Sequence, residues 1–354
     1  MKNNAAQAPS LFQAYNHYFP IGAAITCRMI DDPAYAQLIR RHFNSITAEN
    51  DMKPERVLSR QATLAAGDPI HAVLDFTLTD KILSFARDAG IGVRFHTLLW
   101  HNQTPRWFFT ENWSDAQDAP LASPQTLLAR LDAYIRAAME HVNGQFPGVV
   151  YTWDVVNEAI EPDHGAPDLF RTKSLWYQIL GEEFVFAAFR AARKYQVPGQ
   201  RLCYNDFCTF VPEKKEAIKA LLKRLLRENL VDDLGMQAHL QLDGFNIAMV
   251  EAAVKDYASL GVGLQATEMD IHCPGSDDAS QQALAKAYGE YFGMLVRLRK
   301  DGCQVDGATF WGVTDADSWL HFFRRGASFP LLFTGEKETK PAFYAVLNAA
   351  ETNI

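Results

Sequence analysis

Tyr151-Thr-Trp-Asp-Val-Val-Asn157-Glu158 has the pattern of a short buried strand that ends in an amide and a carboxylate. A carboxylate at the end of an apolar strand costs free energy unless it is paired, hydrogen-bonded or protonated. Such a position is where a chain can keep a carboxyl group ready for proton transfer. Much further along, Gly263-Leu-Gln-Ala-Thr-Glu268-Met-Asp270-Ile271 has the same design. We therefore expect Glu158 and Glu268 to face each other across a shared site.

Strand-like runs alternate with amphipathic helices from one end of the chain to the other. The predicted strands are Ile21–Ile25, Ser45–Asn50, Gly92–His101, Tyr151–Glu158, Arg201–Phe207, Gly235–Leu240, Gly263–Ile271 and Gly307–Val313. The predicted helices include Asp80–Ala89, Leu127–Val142, Ser174–Tyr195, a lysine-rich helix near Lys214–Arg227, Ile247–Tyr257 and Leu284–Arg299. Strict alternation indicates a parallel sheet, and eight units is the number that closes a barrel. The predicted fold class is α/β, a single (β/α)8 TIM barrel.

Each predicted strand begins with small or apolar residues and ends with polar or aromatic ones. The strand-end residues are Glu49 with Asn50, His96, Asn157 with Glu158, Asn205 with Asp206, Gln237 with His239, Glu268 with Asp270, and Trp311. All eight carboxyl ends lie at one mouth of such a barrel. The sequence therefore predicts one polar site there, built from many strands.

Composition, charge and cysteine spacing indicate the number of domains and which partners the protein has. The 354 residues are 48% hydrophobic and show no Pro/Gly/Ser-rich linker, so we expect residues 1–354 to form one catalytic domain. The net charge is −8 without a basic stripe, so no nucleic-acid partner is expected. No stretch approaches the roughly 18 apolar residues of a membrane span, and the N-terminus has no signal-peptide pattern. Five cysteines without metal-site spacing fit free thiols in a reducing cytoplasm.

Paired carboxylates at facing strand ends suit the cleavage of a glycosidic bond. One carboxyl group must arrive protonated to serve the leaving oxygen, while the other must be ionised to attack or to activate water. Glu268 and Asp270 point to the same face of their strand, and His239 on the neighbouring strand is placed to keep Glu268 ionised. Glu158 has few cationic neighbours in sequence, which suits the proton donor, and Asn157 is placed to hydrogen-bond a sugar hydroxyl.

Other readings of these residues remain open at this point. A strand-end glutamate is often a helix cap or a salt-bridge partner. His96, His101 and His239 with Glu268 or Asp270 are potential metal ligands, although His96 and His101 should face opposite sides of their strand. The aromatic residues near the strand ends are either core residues or platforms for sugar rings; they are Trp100, Trp107, Phe207, Trp311 and Trp319.

Seven segments, in order along the chain, resemble glycoside hydrolase family 10, the β-1,4-xylanases. They are Glu49-Asn50-Asp51-Met52-Lys53, His96-Thr-Leu-Leu-Trp100-His101-Asn-Gln-Thr-Pro105, Trp153-Asp-Val-Val-Asn157-Glu158, Tyr204-Asn205-Asp206, Gln237-Ala-His239, Thr267-Glu268-Met-Asp270 and Trp311-Gly-Val-Thr-Asp315 with Ser318-Trp319. The resemblance implies a (β/α)8 barrel with a retaining mechanism. It implies Glu158 as the acid/base and Glu268 as the nucleophile.

The resemblance also implies roles for the surrounding residues. Those around the glycone subsites would be Glu49, Asn50, Lys53, His96 and Trp100, with Asn157, Gln237, Trp311 and Trp319 around the sugar being cleaved and His239 beside Glu268. Asn205, Asp206 and Asp270 would support them. The family needs no metal for its chemistry, and no cofactor is expected.

Two stretches depart from the family pattern, and both bear on the substrate. Phe207-Cys208 stands where the family usually has Tyr-Asn, and the stretch from His321 to Thr334 differs before Pro330-Leu-Leu-Phe. The lack of a signal peptide resembles the intracellular branch of the family, whose substrates are xylo-oligosaccharides. A non-catalytic sugar-binding barrel and a β-1,4-glucan hydrolase are the alternatives.

Overall fold

The computed structural model describes residues 4–161, 169–244 and 246–351. Its strands are β1 Ile21–Ile25, β2 Ser45–Ala48, β3 Gly92–Trp100, β4 Val150–Asn157, β5 Arg201–Asp206, β6 Asp233–Met236, β7 His239–Gln241, β8 Gly263–His272 and β9 Val305–Phe310. Each of the strands β1 to β5 pairs in parallel with the next, β6 pairs with β8, and β9 pairs with both β8 and β1. The ring is therefore closed, and the predicted (β/α)8 barrel is confirmed.

Helices connect the strands and cover the outside of the barrel. They are α1 Leu11–Ala14, α2 Cys27–Asp31, α3 Pro33–His42, α4 Pro54–Val57, α5 Arg60–Ala66, α6 Thr77–Ala89, α7 Pro124–Gln145, α8 Leu175–Leu180, α9 Glu183–Tyr195, α10 Pro212–Arg227, α11 Ile247–Ala258, α12 Asp278–Lys300, α13 Leu320–Phe323 and α14 Pro341–Glu351. Short 3-10 turns lie at Ala5–Gln7, Arg106–Phe109, Glu111–Trp113 and Asp315–Asp317. In the part of the chain that is described, no helix combines the length and the apolar character that crossing a membrane requires.

The helices form where apolar residues recur at helical spacing. In α6 the buried residues include Ile82, Leu83 and Ala86, and Gly90 ends the helix in a left-handed conformation with φ of 65°. In α10 the buried residues include Ile218, Leu221 and Leu225, as the alternation of apolar and basic residues predicted. The strands are buried on both faces, as expected of a parallel sheet enclosed by helices.

Two predicted elements are each divided in the structure. The helix predicted over Ser174–Tyr195 is two helices, α8 and α9, because Gly181 adopts φ of 59° after Leu180. The strand predicted over Gly235–Leu240 is β6 and β7, and Ala238 between them has φ of 61°. Both predictions of a continuous element were wrong, since a left-handed residue stops either kind of hydrogen-bond ladder.

The barrel interior below the mouth carries a charged and amide network in place of an apolar core. Arg94 is fully buried and pairs with Asp154, and its Nη1 donates to Gln265 Oε1 at 2.9 Å. Gln265 in turn donates to Asp233 Oδ2 at 2.9 Å, and Asp233 pairs with Arg201. Buried charges persist only when they are paired and hydrogen-bonded, which this network achieves. It therefore fixes the register of the strands whose ends form the site.

Candidate active site

The carboxyl ends of the barrel strands surround a cavity of about 530 Å³. Its lining contains Glu49, Asn50, Lys53, His96, Trp100, Asn157, Glu158, Gln237, His239, Glu268, Asp270, Trp311 and Trp319, all of which the sequence had pointed to. It also contains Asn102, Gln103, Phe207, Cys208, Leu240, Leu320, Phe323 and Arg324. Of these eight, Phe207 and Cys208 had been named individually from the sequence, while Asn102 and Gln103 lie in a matching segment and Phe323 and Arg324 in the stretch from His321 to Thr334 that departs from the family pattern. One cavity therefore brings together both glutamates and residues from most of the barrel strands.

Glu158 follows the last residue of β4 and has a left-handed backbone, with φ of 55°. Its backbone N–H donates to Asn205 O at 2.9 Å, which fixes the turn against β5. Trp100 Nε1 and Gln237 Nε2 each donate to its carboxylate at 2.9 Å. Both of these donors are neutral side chains.

Among the described residues, His101 is a titratable side chain close to the Glu158 carboxylate, with its Nδ1 3.9 Å from Glu158 Oε2. Burial lowers the pKa of His101 to about 3, and the charges of Arg171 and Lys214 act in the same direction. This imidazole is therefore neutral near pH 7. Within the described parts of the chain, the side chains that hydrogen-bond to the Glu158 carboxylate are therefore neutral.

Glu268 lies within β8 and is 5% exposed. Its Oε1 accepts a hydrogen bond from Asn205 Nδ2 at 2.6 Å, and its Oε2 lies 3.3 Å from His239 Nε2. His239 Nδ1 lies 2.9 Å from Asp270 Oδ1, and Asp270 Oδ2 accepts from Trp319 Nε1 at 2.7 Å. A hydrogen-bonded row thus runs from Trp319 through Asp270 and His239 to Glu268.

The charges around Glu268 and His239 set the protonation states of these two groups. Burial acts to raise the pKa of Glu268, but the charges of His96, His239 and Lys53 and the hydrogen bond from His239 outweigh it and lower the pKa to about 2. Burial acts to lower the pKa of His239, but Asp270 and Glu268 outweigh it and raise the pKa to about 10. The imidazolium and the Glu268 carboxylate are therefore both charged near pH 7.

Amide side chains join the two glutamates across the cavity floor. Asn205 Nδ2, which donates to Glu268, also lies 2.8 Å from Asn157 Oδ1. Gln237 Nε2 lies 3.2 Å from the same Asn157 oxygen and donates to Glu158. Because each amide is held by its neighbours, Glu158 and Glu268 have fixed positions relative to one another.

The opposite wall of the cavity carries a buried lysine beside a tryptophan face. Lys53 is 5% exposed, donates to Asn50 Oδ1 at 3.1 Å and lies 4.7 Å above the Trp100 ring. Burial lowers the pKa of Lys53, and nearby glutamates including Glu268 and Glu49 act against that shift. Burial also raises the pKa of Glu49, which Lys53 partly offsets.

His96 and Trp311 complete the wall near Glu268. His96 Nδ1 lies 2.9 Å from Asp154 Oδ2, which links it to the network inside the barrel. The His96 ring meets the Trp311 ring at 79°, with 5.4 Å between centroids. With one ring nitrogen occupied by Asp154, His96 has its other nitrogen for a ligand in the cavity.

Three sequence-based expectations differ from the structure. Trp107 is buried against Trp113, with ring centroids 5.6 Å apart, and is a core residue and not a sugar platform. Lys214, taken with the solvated face of its helix, is buried and lies 2.7 Å from Asp206 Oδ1 and 3.2 Å from the Phe207 ring centroid. Helical spacing gave no signal for it, since the pairing depends on a loop. The strand predicted to reach His101 ends at Trp100, so His101 lies one residue beyond β3, and it is not part of the cavity lining.

Asp206 lies behind the cavity and not in its lining. It is fully buried and accepts from the Tyr204 hydroxyl as well as pairing with Lys214. Burial raises the pKa of Asp206 to about 6, although Lys214 and the Tyr204 hydrogen bond act against the shift. Lys214 in turn supports the face of Phe207, so Asp206 contributes to the cavity through that ring.

The alternative reading as a metal site lacks a suitable set of donors. Within residues 4–161, 169–244 and 246–351, no group of three or more His, Cys, Asp or Glu side chains is arranged to hold a metal ion. His96 and His239 each use Nδ1 on a carboxylate, from Asp154 and Asp270 respectively. The five cysteines are free thiols.

Comparison with known proteins gives one consistent relationship. Residues 10–349 match the family described as Glycosyl hydrolase family 10. Endo-1,4-beta-xylanase B of Butyrivibrio fibrisolvens is 42% identical over 96% of this chain, which spans about half of that relative's length (53%). The structure of xylanase B from Clostridium stercorarium F9 aligns with a TM-score of 0.83 at 34% identity, covering 96% of this chain and 100% of that one. The structure of TsXylA, described as an intracellular xylanase from Thermoanaerobacterium saccharolyticum, aligns with a TM-score of 0.84 at 32% identity, covering 96% and 98%. The chain therefore belongs to glycosyl hydrolase family 10, as its motifs had indicated.

Proposed function

We propose that this chain is a retaining endo-β-1,4-xylanase that hydrolyses xylan-derived xylo-oligosaccharides. The observation that carries the proposal is the contrast between the two glutamates of the cavity. The charges of His96, His239 and Lys53 and a hydrogen bond from His239 lower the pKa of Glu268, whereas Glu158 accepts hydrogen bonds from the neutral side chains of Trp100 and Gln237. Glycoside hydrolysis requires this difference between its two carboxyl groups. The relatives described as endo-1,4-beta-xylanases support the choice of substrate.

The reaction proceeds in two displacements. The Glu268 carboxylate attacks the anomeric carbon while Glu158 gives its proton to the departing glycosidic oxygen, so the C–O bond breaks as a glycosyl ester forms. A water molecule then gives a proton to the Glu158 carboxylate, and its oxygen displaces Glu268 from the anomeric carbon. The second step restores both groups and keeps the configuration of the sugar.

The remaining cavity residues position the sugar chain. The proposed glycone contacts are Glu49, Asn50, Lys53, His96 and Trp100; those around the sugar being cleaved are Asn157, Gln237, His239, Trp311 and Trp319; Asn205, Asp206 and Asp270 support them. The carboxylates, amides and imidazoles offer donors and acceptors to hydroxyl groups, and the tryptophans offer flat faces to C–H groups. No metal or cofactor takes part in the proposed reaction.

The setting of the enzyme is part of the same proposal. We place residues 1–354 in one catalytic barrel that acts in the cytoplasm, without a nucleic-acid or membrane partner. The intracellular description of the Thermoanaerobacterium neighbour and the free thiols of this chain support the location.

Hydrolysis of xylohexaose, followed by proton NMR and by product length, tests the proposal directly. A retaining enzyme releases the β-anomer first, and an endo-enzyme releases several product lengths from the start. Initial release of the α-anomer would overturn the retaining mechanism, and no cleavage would overturn the activity. Aryl cellobioside, compared with aryl xylobioside, is the matched substrate control for a glucan hydrolase.

Replacement of Glu268 by Ala tests the nucleophile. The variant should lose turnover, and added azide should restore it because a small anion can fill the space and attack the same carbon. The azide product should be the α-glycosyl azide, which is the inverted configuration. Turnover at the wild-type rate would refute the role of Glu268.

A further inference from the structure

Arg324 is the cation of the cavity that has no acidic partner among the described residues. The cavity is lined by four carboxylates, Glu49, Glu158, Glu268 and Asp270. Its other basic groups are engaged: Lys53 with Asn50, His96 with Asp154, and His239 with Asp270. Arg324 is exposed, and within the described parts of the chain its nearest aromatic contact is the ring of Phe323, 5.5 Å from Cζ.

An aromatic surface connects Arg324 to the catalytic centre. Trp319 donates to Asp270 at 2.7 Å, and its ring lies beside the ring of Phe323 with 4.7 Å between centroids. Phe323 is 59% exposed although it is large and apolar. Trp319 and Phe323 are four residues apart on one side of α13, and Arg324 follows directly. A sugar on the Trp319 face therefore has a second platform and a guanidinium within reach of its substituents.

We propose that Phe323 and Arg324 form a subsite for a carboxylate substituent on the sugar chain, so that the enzyme favours a xylo-oligosaccharide bearing a free uronic acid over the same chain bearing its neutral ester. The inference rests on the proposed function. A guanidinium binds a carboxylate through two parallel hydrogen bonds, and no neutral hydroxyl group uses that geometry. An acidic protein with four carboxylates at its cavity repels an anionic ligand unless a cation lies where the charge arrives. Arg324, an exposed residue of the cavity lining, supplies that charge.

The test compares xylotetraose with xylotetraose carrying one glucuronic acid, and with the methyl ester of the latter. The measured quantity is kcat/KM for each, in wild type, in Arg324→Gln and in Arg325→Gln. Arg325 is the matched control, because it is the adjacent exposed arginine and does not line the cavity. The preference for the acid over the ester should fall about fivefold in Arg324→Gln, the scale of an exposed ion pair, and should be unchanged in Arg325→Gln. Wild-type preference for the acid should weaken as salt is raised.

Three results would overturn the subsite: equal treatment of acid and ester by the wild type, an unchanged preference in Arg324→Gln, or an equal loss in Arg325→Gln. Failure of the proposed function is a separate outcome, since it shows as no cleavage of plain xylotetraose. Calorimetric binding of the acid and ester to Glu268→Ala protein decides the subsite even in that case, because binding requires no turnover.

Discussion

Replacing His239 by Gln should move the acidic limit of activity to higher pH. His239 is the cation in contact with Glu268, and its Nε2 lies 3.3 Å from Glu268 Oε2. Glutamine keeps an N–H that can donate to the carboxylate but removes the positive charge. The experiment therefore separates the charge of His239 from its hydrogen bond.

The size of the shift follows from the groups around Glu268. The pKa of Glu268 is lowered from 4.5 to about 2, although burial acts to raise it. Of the influences that lower it, His239 supplies both a hydrogen bond and a charge, while the charges of His96 and Lys53 remain in the variant. With burial unchanged, loss of the His239 charge should raise the pKa of Glu268 by roughly one unit.

The assay is kcat/KM against pH with 2,4-dinitrophenyl xylobioside. This leaving group needs no proton, so the acidic limb reports the ionisation of Glu268 in the free enzyme and not that of Glu158. Asp270→Asn should shift the limb in the same direction, because the imidazolium loses the carboxylate 2.9 Å from its Nδ1. His272→Gln is the control, since His272 Nδ1 lies 2.9 Å from Ser328 Oγ and has no contact with Glu268 among the described residues.

An acidic limb that stays in place in His239→Gln would refute the electrostatic argument. It would mean that the backbone position and the amide of Asn205, 2.6 Å from Glu268 Oε1, are sufficient to keep the carboxylate ionised. An equal shift in His272→Gln would show a general effect of the substitutions on stability. The hydrogen-bonded row from Trp319 through Asp270 and His239 to Glu268 has the proposed role only if the acidic limb shifts in both His239→Gln and Asp270→Asn and stays in place in His272→Gln.

Two further predictions concern the acid/base residue and the pH dependence of stability. Glu158→Gln should lower kcat/KM on unactivated xylo-oligosaccharides by about 10²- to 10⁴-fold but should affect glycosylation by dinitrophenyl xylobioside far less, and equal losses on both substrates would contradict its role as acid. The pKa of His239 is raised from 6.5 to about 10, so its contribution to stability should be complete below pH 6.5 and lost as the pH rises toward 10. Thermal melts should show that loss in the wild type and a smaller one in His239→Gln; identical curves would contradict the prediction.

Much of the architecture was predictable because a parallel barrel imposes a simple rule on its sequence. Strands buried on both faces are mostly apolar, so most polar residues of β4, β5 and β8 lie at their carboxyl ends or, like Asp154 and Gln265, in the paired network inside the barrel. The carboxyl ends of all strands meet at one mouth, so listing strand-end residues identified many of the residues that line the cavity. The same rule explains why Glu158 and Glu268, far apart in sequence, line one site.

The contacts that the sequence did not predict depend on loops whose paths have no periodic signal. Arg324 lines the cavity because it follows α13, which begins shortly after the 3-10 turn at Asp315–Asp317. The preceding strand, β9, does not set the direction of α13. Lys214 is buried because the loop after β5 brings Asp206 and Phe207 to the start of α10. Trp107 is of a residue type that often forms a sugar platform. Its ring, on the 3-10 turn Arg106–Phe109, instead packs in the aromatic core. In each case the residue type alone did not determine where the side chain lies, and the direction of the backbone did.

Four of the nine described non-glycine residues with positive φ lie at the mouth of the barrel, and this backbone conformation explains how adjacent residues share one cavity. Strand alternation places Asn157 and Glu158 on opposite faces, yet both line the cavity because Glu158 has φ of 55°. Left-handed residues also follow the ends of three neighbouring strands: Gln103 after β3, Cys208 after β5 and Ala238 after β6. A left-handed conformation costs roughly 1–2 kcal/mol for a residue with a side chain, and none of these four is glycine. Gln103, Glu158 and Cys208 line the cavity themselves, and Ala238 lies between two residues that do. The backbone at the mouth of the barrel thus adopts left-handed conformations that lower the stability of the fold. These conformations turn side chains toward the cavity, where they surround the proposed reaction centre.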